Sequence, residues 1–132
     1  METEFYSKEK LYRGLKRRPK FIKRDNTITR NVFTYTGKNS TGCSVSRQLN
    51  RKNINAVKHT LEWLEKHADE VVSILYEQCE EVNIYVKATP SKSNIYHSEM
   101  YQNDKLEVLN DEQLDYLAEH SILEDKSKEF EE

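Results

Sequence analysis

The sequence is poor in the residues that most often mark a specialised site. It has two cysteines, two prolines and three glycines in 132 residues. Cys43 and Cys79 stand far apart and form no Cys-x-x-Cys motif, which argues against a disulfide framework and against a structural zinc site. His59 and His67 are eight residues apart, whereas two helical histidines that share a metal ion are four apart. We therefore predict two reduced thiols, no metal and no cofactor.

Long apolar runs are also missing. Runs such as Val71-Val72 and Ile74-Leu75 end after a few residues, whereas a membrane-spanning helix needs about 20 and a signal peptide also needs a longer apolar core. We therefore expect a cytoplasmic protein without a membrane partner. The length predicts one domain, which we place over residues 9–122. It would lie between a flexible N-terminus over 1–8 and a charged, disordered tail over 123–132.

Charge, by contrast, is abundant and unevenly distributed. Residues 1–60 carry 15 Lys and Arg against four Asp and Glu, whereas residues 61–132 carry six against 19. Such asymmetry is typical of a protein that has an anionic partner, or whose two halves neutralise each other in the fold. A molecule with one basic and one acidic side can also associate with a second copy, so a homo-oligomer is an alternative.

Hydrophobic periodicity predicts the strands. Alternating or β-branched residues indicate strands near residues 10–16, 27–36, 43–48 and 82–88. The turn over 37–42 would join the second and third of these in a β-hairpin. A short extended segment is expected over 95–101.

Two further patterns predict helices and complete an α+β fold. From residue 53 to residue 79, apolar residues recur at steps of three and four, which indicates one long central helix or two shorter ones. Asn110, with Gln113 three residues later, resembles a capping box and predicts a C-terminal helix over 110–120. We therefore predict a small antiparallel sheet packed against the central helix, or helices, and the C-terminal helix.

Three short segments place polar groups at strand-like spacing. They are Lys10-Leu-Tyr-Arg-Gly14, Gly42-Cys-Ser-Val-Ser-Arg47 and Tyr96-His-Ser-Glu99. This arrangement is similar to the Arg–Ser–Glu pattern of ADP-ribosyltransferases, although that family has Ser-Thr-Ser where this chain has Ser-Val-Ser.

The resemblance to ADP-ribosyltransferases implies roles for four residues. Arg13 would bind the phosphates of a nicotinamide dinucleotide, and Ser44 or Ser46 would orient the strand on the nicotinamide side. Glu99 would stabilise the developing ribosyl cation. His97 stands where that family carries a Glu or Gln, and it is a candidate general base because imidazole exchanges protons near neutral pH.

The same residues have a structural alternative. Arg13 falls on the apolar face of its predicted strand, where an unpaired charge is costly. Glu99 or another acidic residue would then neutralise it in a core ion pair. Ser44 and Ser46 would be ordinary strand residues, and His97 a hydrogen-bonded structural histidine.

A second resemblance covers most of the chain. The segments above, together with the Pro90-Ser-Lys-Ser-Asn94 loop, resemble a group of small uncharacterised bacterial and phage proteins over roughly residues 9–122. This resemblance implies an origin in bacteria or mobile genetic elements, and it implies no particular activity.

A basic segment with interleaved aromatic residues offers a different kind of site. Cations neutralise phosphates and flat rings stack on bases, which is the minimal chemistry for binding nucleic acid. The candidate anion-binding residues are Arg17, Arg18, Lys20, Lys23, Arg24, Arg30, Lys38 and Arg47. The candidate stacking residues are Tyr12, Phe33 and Tyr35.

Among these functions we favour a non-enzymatic binding protein. Its basic half would bind an anionic partner, with nucleic acid as the first choice and a nucleotide as the second. One alternative is an ADP-ribosyltransferase-like enzyme that uses a nicotinamide dinucleotide. Another is a phage-type inhibitor whose acidic helices dock on a host defence protein or a nucleic-acid-processing protein.

Overall fold

The computed structural model describes residues 5–34, 41–48, 60, 62, 64, 66 and 68–124. Within these residues, six strands form one sheet in the order β4-β5-β2-β1-β3-β6, with every neighbouring pair antiparallel. The strands are β1 (Lys10–Leu15), β2 (Cys43–Arg47), β3 (Glu70–Leu75), β4 (Tyr85–Ala88), β5 (His97–Tyr101) and β6 (Ile122–Leu123). The same part of the chain contains three helices, which are α1 (Asn31–Thr34), α2 (Tyr76–Glu81) and α3 (Asp111–His120). The predicted α+β class is confirmed.

The two faces of the sheet carry different side chains, because successive residues of a strand point to opposite faces. One face, the core face, packs against the three helices. Its largest apolar cluster joins strand residues with residues of α1, α2 and α3. The members that represent these elements are Leu11, Val45, Val72, Val32, Cys79 and Leu117. The opposite face, here called the serine face, carries Tyr12, Gly14, Ser44, Ser46 and His97.

The serine face is covered in part by a helical segment. Residues 60, 62, 64 and 66 have helical backbone. The Thr60 hydroxyl donates to the Arg47 carbonyl over 2.7 Å, and Leu64 packs with Tyr12 and Val71 in a second apolar cluster. The segment lies between β2 and β3, which run parallel to each other on either side of β1.

The predicted helical stripe over 53–79 is wrong at residues 70–75, which form β3. Val71, Val72, Ser73 and Ile74 are all at most 3% exposed. A strand buried on both faces has apolar residues at nearly every position, and such a run also matches the three-and-four spacing of a helix. The β-branched content of the run favours the strand. Residues 53–59 lie outside the described part of the chain.

The predicted strand over 27–36 and its hairpin are also wrong. Residues 31–34 form α1 instead, and Ile28 forms an isolated bridge with Ile22. Val32 and Phe33 are adjacent in sequence, and both are 2% exposed in the core. A strand would send them to opposite faces, whereas a helical turn buries both on one side. β2 therefore pairs with β1 and β5 rather than with a preceding hairpin strand. Residues 35–40 lie outside the described part.

Most of the remaining elements agree with the sequence patterns. β1 and β2 occupy the predicted strands near 10–16 and 43–48. The predicted strand over 82–88 is correct only for Tyr85–Ala88, which form β4. It is wrong at its start, because Val82 is the C-cap of α2 and Asn83 has a positive φ of 59° in the turn that follows. At the start of α3, the Asn110 side chain accepts from the Gln113 N–H over 2.9 Å, and the Gln113 side chain accepts from the Asn110 N–H over 3.0 Å. This is the predicted capping box. In the described residues, no helix is long and apolar enough to cross a membrane.

Both chain ends of the described part contact the fold. Phe5 stacks on Tyr76, with ring centroids 5.0 Å apart. At the other end, β6 pairs with β3, and Glu124 forms an ion pair with Lys10 over 2.8 Å. The predicted boundary between residues 122 and 123 therefore falls inside a strand.

Candidate functional site

The ladder between β1 and β2 opens after two residue pairs. Both strands are described in full, and they pair only at Leu11 with Arg47 and at Tyr12 with Ser46. By contrast, β1 pairs with β3 along its whole length from Lys10 to Leu15. Beyond Tyr12, β1 and β2 therefore separate and leave a cleft in the sheet.

The Arg13 side chain ties the two strands together where the ladder ends. Its Nη1 donates to the Ser44 carbonyl over 2.7 Å, and its Nε donates to the Val32 carbonyl in α1 over 2.6 Å. The guanidinium thus satisfies backbone groups on the core face. Its placement is structural, because it joins β1 to β2 and to α1.

The serine-face side of this cleft is a cavity of about 260 Å³ that is partly open to solvent. Among the described residues, its lining consists of Tyr12, Arg13, Gly14, Ser44, Val45, Ser46, Leu64, Ala68 and His97. Gly14 is needed for this geometry. A Cβ at that position would lie 2.6 Å from the Ala68 Cβ and 3.0 Å from the Leu64 Cδ2. The helical segment approaches the sheet closely at Gly14, and the space beside the contact stays open.

Three side chains give this cleft its polar groups. The Ser46 hydroxyl accepts from the buried Asn94 amide over 2.8 Å. The His97 Nδ1 lies 2.8 Å from the Thr89 hydroxyl and 3.2 Å from the Thr89 carbonyl oxygen. The third is Ser44, which lies beside Ser46 on the same face. The hydrogen bonds to Asn94 and Thr89 therefore hold two of the three groups in place.

The structure brings together four of the five predicted catalytic residues. Ser44 lies opposite Glu99 and Ser46 lies opposite His97 in the β2–β5 ladder, so all four share the serine face. Arg13 projects to the core face instead, because it follows Tyr12 in the strand. Arg13 and Glu99 thus lie on opposite faces of the sheet, which argues against both a shared catalytic cleft and a core ion pair between them.

Glu99 is placed beside the cleft rather than in its lining. A Cβ on Gly42 would overlap the Glu99 side chain and would come within 2.9 Å of the Tyr101 ring, so glycine makes room for both groups. Burial and the neighbouring Glu99 carboxylate raise the pKa of the Tyr101 phenol. Glu99 therefore lies close to Gly42 and Tyr101.

A core ion pair does exist, and it involves Arg47 rather than Arg13. The Arg47 Nε lies 2.8 Å from Glu9 Oε2, and its Nη2 lies 3.0 Å from Glu9 Oε1. Both side chains are almost fully buried, with 2% and 0% exposure. The Phe5 ring covers the guanidinium at 4.1 Å. Arg47, predicted to bind an external anion, is thus held inside the protein by Glu9.

The other predicted stacking and anion-binding residues divide by their exposure. Tyr12 and Phe33 are core residues with 0% and 2% exposure, so neither presents a ring face to solvent. Arg30 is paired with Asp111 and Asp115 of α3 at 3.2 and 2.8 Å. The predicted residues Tyr35 and Lys38 lie outside the described part of the chain.

The remaining cations lie in a basic turn, defined here as residues 16–27. Its backbone is ordered by hydrogen bonds from Lys23 N to the Thr27 carbonyl over 3.0 Å and from Asn26 N to the Lys23 carbonyl over 2.9 Å. Asn26 has a positive φ of 69°, a conformation that asparagine tolerates well in turns. Ile22, just before the turn's tip, is 2% exposed and anchors the turn to the core.

Within the basic turn, two cations are paired and four are not. Lys16 lies 3.8 Å from Asp69, and Arg17 lies 3.2 Å from Glu70. The cations that form no ion pair with any described residue are Arg18, Lys20, Lys23 and Arg24, and all four are exposed. The turn therefore presents four solvent-exposed positive charges on an ordered backbone.

The chain matches no family model, and neither the curated proteins nor the solved structures contain a significant match. In the described residues, no cluster of three or more His, Cys, Asp or Glu side chains could hold a metal ion.

Sequence reasoning missed the residues that complete the cleft. Asn94 and Thr89 belong to the loop between β4 and β5, and their polar side chains are ordinary for a loop. Ala68 comes directly after the helical segment. Gly14 did carry a signal, because a glycine inside a strand pattern often marks a close approach of another backbone.

Proposed function

We propose that the protein binds nucleic acid through the basic turn. The observation that carries the proposal is the set of four exposed cations, Arg18, Lys20, Lys23 and Arg24, which form no ion pair in the described part of the chain. Such cations release the counterions of a phosphate backbone without first breaking an internal ion pair. The same cannot be said of Arg30 or Arg47, which have carboxylate partners.

The order of the turn supports this proposal. The turn's backbone hydrogen bonds and the buried Ile22 hold it in one arrangement. Binding therefore costs little backbone entropy, so little of the free energy of the phosphate contacts is lost in ordering the turn. Asp25, the one acidic residue in the turn, accepts hydrogen bonds from Thr27 that lower the pKa of its carboxyl group. The Asp25 carboxylate is therefore held at the tip of the turn by Thr27.

The shape and charge next to the turn favour a polyanion over a free nucleotide. A groove of about 520 Å³ separates the turn from α3, and its lining includes Thr27, Asp115 and Glu119. A nucleotide phosphate in this groove would meet two carboxylates. The four exposed cations of the basic turn instead lie on the surface, where a strand with several phosphates can contact more than one of them.

The burial of the predicted stacking rings predicts weak sequence preference. Tyr12 and Phe33 are in the core, and the partly buried Phe21 ring lies beneath the Lys20 ammonium at 5.0 Å. Phosphate contacts position a strand without reading its bases. We therefore expect the basic turn to bind mixed sequences with similar affinity.

The test is fluorescence anisotropy with labelled single-stranded and double-stranded oligonucleotides over a range of salt concentrations. If all four cations contact phosphates, the slope of log K against log salt should be about −3.6 for duplex DNA and about −2.8 for a single strand. The quadruple variant R18A/K20A/K23A/R24A should lose detectable binding.

A triple variant on the far part of the chain is the matched control. Lys87→Ala, Lys92→Ala and Lys105→Ala together remove three exposed charges outside the basic turn, and they should change the affinity by less than the quadruple variant does. Equal losses in the two variants would mean that general charge, not the turn, attracts the strand. Binding that persists in the quadruple variant, or that does not depend on salt, contradicts the proposal.

A further inference from the structure

The cleft on the serine face is a separate feature from the basic turn. We propose that it binds a small, uncharged nitrogen heterocycle of about the size of a nucleobase. The proposal does not rest on nucleic-acid binding by the basic turn, because the described lining of the cleft comes from β1, β2, β5, Leu64 and Ala68.

The volume of the cleft sets the size of the ligand. Its 260 Å³ lies below the roughly 300 Å³ at which the sites of drug-sized ligands usually begin, so the cleft suits a smaller molecule.

The described lining of the cleft favours an uncharged ligand. Arg13 is the only Lys, Arg, Asp or Glu among the described lining residues, and its guanidinium is bonded to backbone carbonyls on the core face. Among these residues a phosphate or an ammonium group finds no Lys, Asp or Glu of opposite charge, and an unpaired charge is costly in a site that is partly removed from water. A neutral ligand does not have this cost.

The polar groups of the cleft match the edge of a nitrogen heterocycle. The Ser46 hydroxyl accepts from Asn94, so its own proton remains to be donated. The Thr89 carbonyl oxygen can only accept, so the His97 Nδ1–H donates to it, and the second ring nitrogen of His97 is left for a ligand. Ser44 can donate or accept. The cleft thus offers both donors and acceptors within one patch.

The walls of the cleft suit a flat ring. Ser44 and Ser46 give the sheet wall small side chains, and Leu64 and Ala68, which contact the sheet at Gly14, form an apolar end of the cleft. A ring that lies on the sheet wall beside this contact buries apolar surface and directs its edge nitrogens to the polar patch. An aliphatic alcohol or sugar of the same volume would bury hydroxyl groups against Leu64 and Ala68 without partners.

The test is a titration of the full chain with adenine and with uracil, followed by amide chemical shifts in NMR spectra. Saturable shifts should centre on Gly14, Ser44 and Ala68, with a dissociation constant in the millimolar range or tighter. Inorganic phosphate is the negative control and should not shift these amides. An absence of saturable shifts with both bases overturns the proposal.

Two serine variants separate cleft binding from adventitious contact. Ser44→Ala removes one hydroxyl from the cleft and should weaken binding about 2- to 10-fold. Ser98→Ala is the matched control, because Ser98 is buried on the core face of the neighbouring strand β5 and its hydroxyl has no hydrogen-bond partner among the described residues. It should leave the affinity unchanged. Equal effects of the two variants contradict the proposal.

A third variant fills the space itself. Ser44→Val suits a strand position, and its larger side chain occupies part of the cleft. It should therefore abolish the chemical-shift changes, while thermal melting shows a folded chain. Undiminished binding by this variant overturns the proposal. If it fails to fold, the pair Ser44→Ala and Ser98→Ala still decides.

The heterocycle can come from a free small molecule or from an unpaired base of a strand. Adenine should displace a labelled single strand if the strand inserts a base into the cleft. If the ligand is a free molecule, adenine and the strand should bind without competition. Both outcomes support a heterocycle site, and the R18A/K20A/K23A/R24A variant should still bind adenine in either case, so failure of the basic-turn proposal is distinguishable from failure of this one.

Discussion

Neutralising Glu9 should cost more stability than any change to an exposed ion pair of this protein. Glu9 binds the buried Arg47 guanidinium through two N–H···O contacts of 2.8 and 3.0 Å. The Tyr6 N–H also donates to Glu9 Oε1 over 3.2 Å, and the Phe5 ring covers Arg47. Glu9→Gln keeps the shape of the side chain and removes its charge.

The expected magnitude follows from the burial of the pair. With exposures of 2% and 0%, Arg47 cannot turn to water when its partner loses its charge. Breaking a buried pair from one side costs about 3–5 kcal/mol, whereas an exposed pair contributes about 0–1 kcal/mol. A domain of this size is stable by about 5–15 kcal/mol, so Glu9→Gln should remove a large fraction of the total.

Urea unfolding followed by circular dichroism measures the loss as a change in the free energy of unfolding. The matched control is Lys8→Met, one residue away, which removes the exposed ion pair between Lys8 and Glu77 (2.7 Å, with 80% and 37% exposure) and should cost less than about 1 kcal/mol. The double variant Glu9→Leu with Arg47→Met should recover much of the stability, because it leaves no unpaired charge. A loss in Glu9→Gln no larger than that in Lys8→Met refutes the reasoning.

Two further predictions concern the thiols and the last helix. Burial raises the pKa of Cys43 and Cys79 above the usual 9.0, so the stability that the protonated thiols contribute is complete below pH 9 and is lost as the pH rises towards their folded values. Between pH 9 and 10, the free energy of unfolding should fall by up to about 1.4 kcal/mol per pH unit for each thiol. This fall should disappear in C43A/C79A. An equal fall in that variant argues against the thiols as its source. Asn110→Ala should cost about 1 kcal/mol through the lost helix cap, and Asn110→Ser should restore most of it; equal melting temperatures of the two variants and the parent chain would contradict this account.

The elements that sequence patterns predicted well are those that have one buried and one exposed face. β4 alternates between exposed Tyr85 and Lys87 and the more buried Val86 and Ala88, which is the pattern that a two-residue period detects. α3 was recognised because its cap residues interact locally, three positions apart. Neither element required knowledge of its neighbours in the fold.

The elements that sequence patterns misassigned are those whose burial depends on distant parts of the chain. β3 is buried on both faces, so its residues do not alternate between apolar and polar and their spacing cannot distinguish a strand from a helix. α1 is a single turn that buries Val32 and Phe33 together. Arg47 looked like a surface cation, because its partner Glu9 lies 38 residues away in the sequence. In each case a non-local contact decides between two locally reasonable conformations.

The sequence by itself determined the composition of the candidate sites, and the tertiary structure decided which residues are available in them. The density of Arg and Lys around Pro19 was visible in the sequence, but only the fold shows that Arg17 has an acidic partner at Glu70 while Arg18 has none in the described residues. Likewise, strand alternation placed Ser44 and Ser46 on one face, whereas the early end of the β1–β2 ladder made that face a cleft. Local spacing fixes which side of a strand a residue occupies, but the charges and walls that meet it there come from segments far away in the chain.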